Sequence, residues 1–366
     1  MSNIRDDGEG KFDPEFWQHL RGSPFSLQDN GAPPRPRIWI NIVLFFATVL
    51  TTMVAGALQS QGGQAFSSFR NLLQGAPFSA ALLGILLAHE MGHYFVSRYH
   101  RVPTTLPYFI PMPTIIGTMG AIIRMRALVR DRPILFDIGI AGPLAGMCVA
   151  VPATVIGLVH SQVVTAAGGA GGIELGDSLL FYLLTRWIFG ALPEGQTVLL
   201  HPVAFAGWLG FFVTSLNLLP MGQLDGGHVT YGLVGPRHRL VSRLAFLALI
   251  GWGVHGVFLH LRPLEWLWGI AFCWTGLRFV LARQTGGFLR IFAIFLLVVG
   301  ISENFVPSTF VWLFWAVLIT FLRLDHPPTR DVTYPLDRNR KILGWTALIV
   351  FVLTFTPRPF MYDLTG

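Results

Sequence analysis

Apolar residues lie along this chain in long runs separated by shorter polar stretches. Crossing the hydrocarbon core of a bilayer takes roughly 20 such residues in a helix. Runs approaching that length fall at 38–58, 78–98, 136–160, 202–221, 243–261, 264–282, 288–305, 308–323 and 342–357. Glu303 and Asn304 make 288–305 the least apolar of these. The pattern predicts an all-α polytopic membrane protein with eight or nine transmembrane helices.

Two connections between the runs are long. In 99–135, Pro107, Pro111 and Pro113 fall within seven residues and forbid a regular helix. The apolar, glycine-punctuated stretch Ile115–Ile123 that follows suits short strands. Non-helical backbone this apolar is tolerated at membrane depth only where protein buries it or it lines a wet cavity. A small re-entrant, membrane-associated β-hairpin packed on the helices is therefore expected here, an apolar surface loop resting on the bilayer being the alternative. The second connection, 161–201, holds Gly168, Gly169, Gly171 and Gly172, then an apolar stretch 179–189 that reads as an interfacial helix or half a span. No internal repeat is visible. The expected organisation is a flexible cytoplasmic tail at 1–37, a first membrane half at 38–235, and additional C-terminal helices at 236–366.

Composition agrees with the pattern. Apolar residues make up 52% of the 366 and charged residues 12%, about half the charged share of soluble domains. With the N-terminus in the cytoplasm and sides alternating at each run, 22 of the 26 Lys and Arg residues fall on the cytoplasmic side. Only Arg70, Arg186, Arg262 and Arg358 lie elsewhere. Such a split is the signature of topology, and it accounts for the net charge of +7 without nucleic acid as a partner. Cys148 and Cys273 both sit in apolar runs, far apart, and imply neither a disulfide framework nor a cysteine metal site. The first 37 residues lack the apolar stretch of a cleaved signal.

Chemistry concentrates in His89-Glu90-Met91-Gly92-His93, at the end of the second run. Residues four apart share a helix face, so two imidazoles can reach one tetrahedral zinc, with Glu90 close enough to polarise water. Ionisable groups this deep in an apolar segment are costly unless they serve a site. A catalytic zinc needs a third protein ligand. The extended soluble-protease pattern would place Gly at 96 and His at 99, where this chain has Val96 and Tyr99, with His100 one place off. The ligand must come from farther away. Asp225 is the strongest candidate. It follows the fourth run, where Pro220 should kink or end the helix and Gly222, Gly226 and Gly227 let the backbone turn. Asp137 and Glu265 are competitors, the first outside any glycine-rich context and the second on the opposite side.

The pairing of His89-Glu90-Met91-Gly92-His93 with Asn217, Pro220, Asp225 and Gly226 resembles the site-2 protease family of intramembrane zinc metalloproteases, whose pattern is HExxH on one transmembrane helix and NxxPxxxxDG on a later one. The resemblance covers roughly 80–230. It implies one zinc ion per chain, with His89, His93 and Asp225 as ligands and Glu90 as general base. It places Asn217 near the substrate carbonyl, as an oxyanion stabiliser or as an interhelical hydrogen-bond partner. Gly117, Thr118, Met119 and Gly120 fall where family members carry a membrane-associated hairpin whose edge accepts an extended substrate by strand addition. Gly142-Pro143-Leu144-Ala145-Gly146, at the start of the third span, brings helices close through small residues.

The chain departs from the many members that insert a PDZ domain between the motifs, since none fits in 161–201, and looks like the PDZ-less subgroup of bacteria and plastids. The implied substrate is a transmembrane protein met within membrane lipid, in a bacterial cytoplasmic membrane with the active site near the cytoplasmic side. His228, three residues past Asp225, is expected to donate to a ligand or substrate or to be a simple interfacial histidine. His326 is expected to be structural. A metal carrier and a pseudoprotease are the rival functions. A carrier has no need of Glu90, and transporter folds show repeated halves that this chain lacks.

Overall fold

The computed structural model describes residues 38–127, 129–165, 173–258, 310–321, 324, 326–327, 329–331 and 334–362. The tail 1–37, the glycines Gly168, Gly169, Gly171 and Gly172, Glu265, and the expected spans 264–282 and 288–305 lie outside them.

The first expected spans form helices α1 (Ile38–Gln61), α2 (Ala76–Tyr99) and α3 (Arg132–Val159). These are the three described helices long and apolar enough to cross a membrane. They differ in depth. Only 17% of the most apolar stretch of α1 is buried in protein, against 50% for α3. Accordingly α1 presents Trp39, Phe46 and Leu50 outward, whereas α3 is the central post on which α2 and later helices pack. Asp131 starts α3 by accepting the Ile134 backbone N–H at 3.0 Å, with Pro133 in the first turn where its missing N–H costs nothing. Pro143 and Pro152 lie inside α3, so the Gly142–Gly146 segment is mid-helix rather than at the start of the span.

Between α2 and α3 the chain forms the expected hairpin, β1 (Tyr108–Pro111) against β2 (Thr118–Ile122), antiparallel with Phe109 opposite Ala121. Gly117 makes its turn at φ +83, where a Cβ would also meet the α1 backbone at Thr51. The Thr51 hydroxyl donates to the Gly117 carbonyl at 2.6 Å, and Asn41 on α1 donates to the Pro107 carbonyl at 2.8 Å. The hairpin therefore lies along α1.

After α3, β3 (Gln162–Thr165) pairs with β5 (Gln196–Leu199), and between them lie β4 (Ile173–Leu175) and the helix α4 (Leu179–Phe189). Then α5 (Pro202–Asn217) ends three residues before Pro220, short of the expected 221, as Pro220 lacks the N–H to continue the helix and its ring would clash with the carbonyl four residues back. A turn through Leu218–Leu224 leads to α6 (Asp225–Val234), followed by α7 (His238–Phe258), α8 (Phe310–Phe321), α9 (Arg338–Thr354) and β6 (Phe360–Tyr362), which pairs with β4.

The core runs between α2, α3 and α5. Phe205, Trp208 and Phe212 recur along one face of α5, their rings stacked at 6.0 and 5.7 Å, and Phe78 of α2 stacks on Phe205 at 5.6 Å. At one end of the bundle Trp208 Nε1–H donates to the Gly176 carbonyl at 2.7 Å, and Gly176 N–H donates to Pro359. At the other end gather the last turn of α2, the start of α3, α6 and the residues between α8 and α9. Segments expected on one membrane side thus meet one another.

Candidate metal centre

At that second end the two sequence motifs come together. His89 and His93 are one turn apart on α2, buried at 4% and 5% exposure. Their Nε2 atoms lie 3.1 Å apart. Asp225, the first residue of α6, brings Oδ2 to 3.1 Å from His89 Nε2 and 3.2 Å from His93 Nε2. Among the described residues this is the one group of three side chains placed to share a metal ion. Asp225 can reach inward because Gly226 and Gly227 press directly on the backbone of the preceding turn, a packing that any Cβ would break.

The donor set fits a small cation. His93 Nδ1 lies 2.7 Å from the Ile138 carbonyl, which can only accept, so Nδ1 carries the proton and Nε2 presents a lone pair. That lone pair faces a second imidazole nitrogen and a carboxylate oxygen. Three nearly equal separations of 3.1, 3.1 and 3.2 Å define one triangular face. Ligands of tetrahedral zinc at about 2.0–2.1 Å from the ion stand about 3.3 Å from each other. The triangle therefore matches three corners of such a tetrahedron.

Small residues of α3 make the room. A methyl group on Gly142 would overlap the His93 ring, and one on Gly146 would stand 3.3 Å from His89. Gly139 similarly admits α6, where a Cβ would come within 2.6 Å of the His228 Cβ. The Gly142–Gly146 segment thus does more than pack helices, since it shapes the pocket for both imidazoles.

Glu90 is buried beside the pair, and the backbone amide of Ile123, just past β2, stands next to its carboxyl. The end of the hairpin thus approaches the carboxylate. Asn217, the last residue of α5, holds Nδ2 3.3 Å from His89 Nε2, which places it at the centre. Gly117 and Thr118 are in the hairpin turn and the start of β2, while Met119 is half exposed and Gly120, at φ +96, has open space around it.

The competitor Asp137 is otherwise engaged. Its carboxylate takes two bonds from Arg340 on α9, at 2.7 and 2.6 Å, and one from His100 at 2.9 Å. His228 Nδ1 lies 2.7 Å from His326 Nε2, and burial pushes the His228 imidazole down to about 4, keeping it neutral. Sequence reasoning missed three of these participants and took a fourth, His326, as structural. Ile138 and Ile123 act through backbone atoms, for which no side-chain motif exists. Arg340 and His326 join the site end across separations of 203 and 98 residues.

Comparison with known proteins bears on the same region. Residues 77–253 match the model of Peptidase family M50. "Probable zinc metalloprotease EGY1, chloroplastic" of Arabidopsis thaliana is 35% identical over 198 residues, covering 53% of this chain and 35% of that protein. "Probable zinc metalloprotease EGY2, chloroplastic" of Oryza sativa subsp. indica is 28% identical over 256 residues, covering 67% of this chain and 44% of that protein. The chain spans less than half the length of these curated relatives. No solved structure matches.

Proposed function

We propose that this protein, whose residues 77–253 match the model of Peptidase family M50, is a member of that family, the site-2 proteases, and a membrane-embedded zinc metalloprotease that hydrolyses peptide bonds in or beside the transmembrane segments of membrane-anchored proteins. The observation that carries the reading is the triangle of His89 Nε2, His93 Nε2 and Asp225 Oδ2, with Glu90 one residue along the same helix.

His89, His93 and Asp225 would hold the ion. Zinc bound there supplies Lewis acidity, acidifying water and polarising a peptide carbonyl. Glu90 takes a proton from the attacking water onto its carboxylate and delivers it to the leaving amine nitrogen as the C–N bond breaks. Asn217 Nδ2–H donates toward the carbonyl oxygen as negative charge develops on it. Helical backbone shields its carbonyls, so a substrate helix must open. The β2 edge, Thr118–Ile122, offers the opened stretch a strand partner.

The basic residues support a cytoplasmic N-terminus and a site near the cytoplasmic side. The meeting of same-side segments at each end of the bundle supports the alternation, and the apolar surface of the hairpin supports a re-entrant position. A bacterial cytoplasmic membrane fits this orientation; the two relatives carry "chloroplastic" in their names.

The test is cleavage of a panel of single-span substrates by the protein reconstituted in lipid, wild type against Glu90→Gln, with zinc measured in both. The proposal expects zinc in both and cleavage in wild type alone. Ion flux that survives Glu90→Gln, with no cleavage by wild type, would establish a carrier instead.

A further inference from the structure

The described residues between α8 and α9 cross the site end of the bundle and touch α6, the turn before it and the entry to α3. The Leu324 carbonyl accepts the Ser242 hydroxyl at 2.7 Å and the Gly222 N–H at 3.2 Å, gripping the turn that precedes Asp225. Arg330 and Asp331 donate their backbone N–H groups to Val129 and Arg130, at 3.2 and 2.8 Å, alongside the entry to α3. The strap ends on α9, where Arg340 clasps Asp137 while His100, at the end of α2, holds the same carboxylate.

Its central contact has a fixed polarity. His326 Nδ1 hydrogen-bonds to the Pro327 carbonyl, which can only accept, so His326 Nε2 presents a lone pair. His228 Nδ1–H therefore donates to it, at 2.7 Å. Tyr231 stacks on the His326 ring at 4.6 Å and 22°. Asp225, His228 and Tyr231 recur every third residue along α6, so the strap seizes the helix face that begins with the ligand. At the other attachment, Asp137 immediately precedes Ile138, whose carbonyl holds His93.

We propose that His326 and Arg340, which lie outside the residues matched by the family model, are positioning residues for the metal centre: His326 acts through His228 on the helix that presents Asp225, and Arg340 acts through Asp137 on the turn of α3 that orients His93. The proposal rests on the reading of His89, His93 and Asp225 as zinc ligands. Its logic is that of outer partners that aim metal ligands, whose loss costs about 10–100-fold in metal affinity or activity.

Zinc affinity measured by chelator competition on the full chain in lipid nanodiscs tests it without a protease substrate. His326→Ala and Arg340→Ala are each expected to weaken zinc binding about ten-fold. His326→Gln, whose amide oxygen can accept the His228 N–H, is expected to recover most of that loss. Arg340→Lys, which keeps the charge but not the two-pronged grip, is expected to stay weak. Zinc affinities of both alanine variants within about two-fold of wild type overturn the proposal. Should an alanine variant fail to fold, Arg340→Lys decides, and an unchanged affinity there overturns it equally. Wild-type protein that holds no zinc overturns this inference and the proposed function together. Wild type that holds zinc while the variants match it overturns the strap alone.

Discussion

His93 Nδ1 sits 2.7 Å from the carbonyl oxygen of Ile138, and this bond between α2 and α3 decides which nitrogen of His93 faces Asp225. The ring fits there because residue 142 is glycine.

Gly142→Ala puts a methyl group into the space of that ring. Overpacking of this kind costs about 1–3 kcal/mol, and displacing His93 should also weaken zinc binding about 10–100-fold. Gly84→Ala is the matched control on α2, since a Cβ there meets nothing within 4 Å. That control should gain about 0.5–1 kcal/mol from helix propensity. Chelator competition and thermal unfolding on both variants separate the two effects.

Gly120→Pro attacks the hairpin and leaves the centre alone. Gly120 has φ +96 and donates its N–H to the Thr118 hydroxyl at 3.0 Å, and proline allows neither. Cleavage should fall while zinc stays at wild-type stoichiometry. Normal turnover by this variant would remove the hairpin from the mechanism.

Trp208→Phe tests the opposite end of the bundle. The buried indole N–H bonds the Gly176 carbonyl at 2.7 Å. Losing it leaves a buried acceptor unpaired, at about 1–3 kcal/mol. The melting temperature should drop with zinc affinity unchanged.

Stability should also depend on pH through the strap. Burial lowers His228 from 6.5 to about 4. A histidine depressed on folding contributes stability that is complete above its unfolded value and lost as pH falls. Melting temperature should therefore be level above about pH 7 and decline from about 6.5 toward about 4. His228→Gln should flatten that decline; equal slopes for variant and wild type would contradict the assignment.

Much of this is legible in the sequence. Four-residue spacing puts His89 and His93 on one helix face, and the proline-glycine context around Asp225 points to a carboxylate free to turn inward, where it meets both imidazoles. Pro107, Pro111 and Pro113 marked the break in which the hairpin forms. The less readable parts depend on tertiary approach. Nothing local marks the Ile138 carbonyl as an anchor, because every residue has one and only the crossing of α2 and α3 selects it. Asp137 carried the same carboxylate as Asp225, and what separates them is a clasp from Arg340, 203 residues away. The end of α5 at Asn217 rather than 221 reflects a local rule, the exclusion of proline from a helix interior, that an apolar run alone conceals.

The most direct measurement of the central claim is zinc per purified chain for wild type and Asp225→Ala. One zinc per wild-type chain, lost in Asp225→Ala while the protein stays folded, is the result expected of a site closed by three ligands from two elements. A full zinc complement in folded Asp225→Ala, or none in wild type, would contradict it.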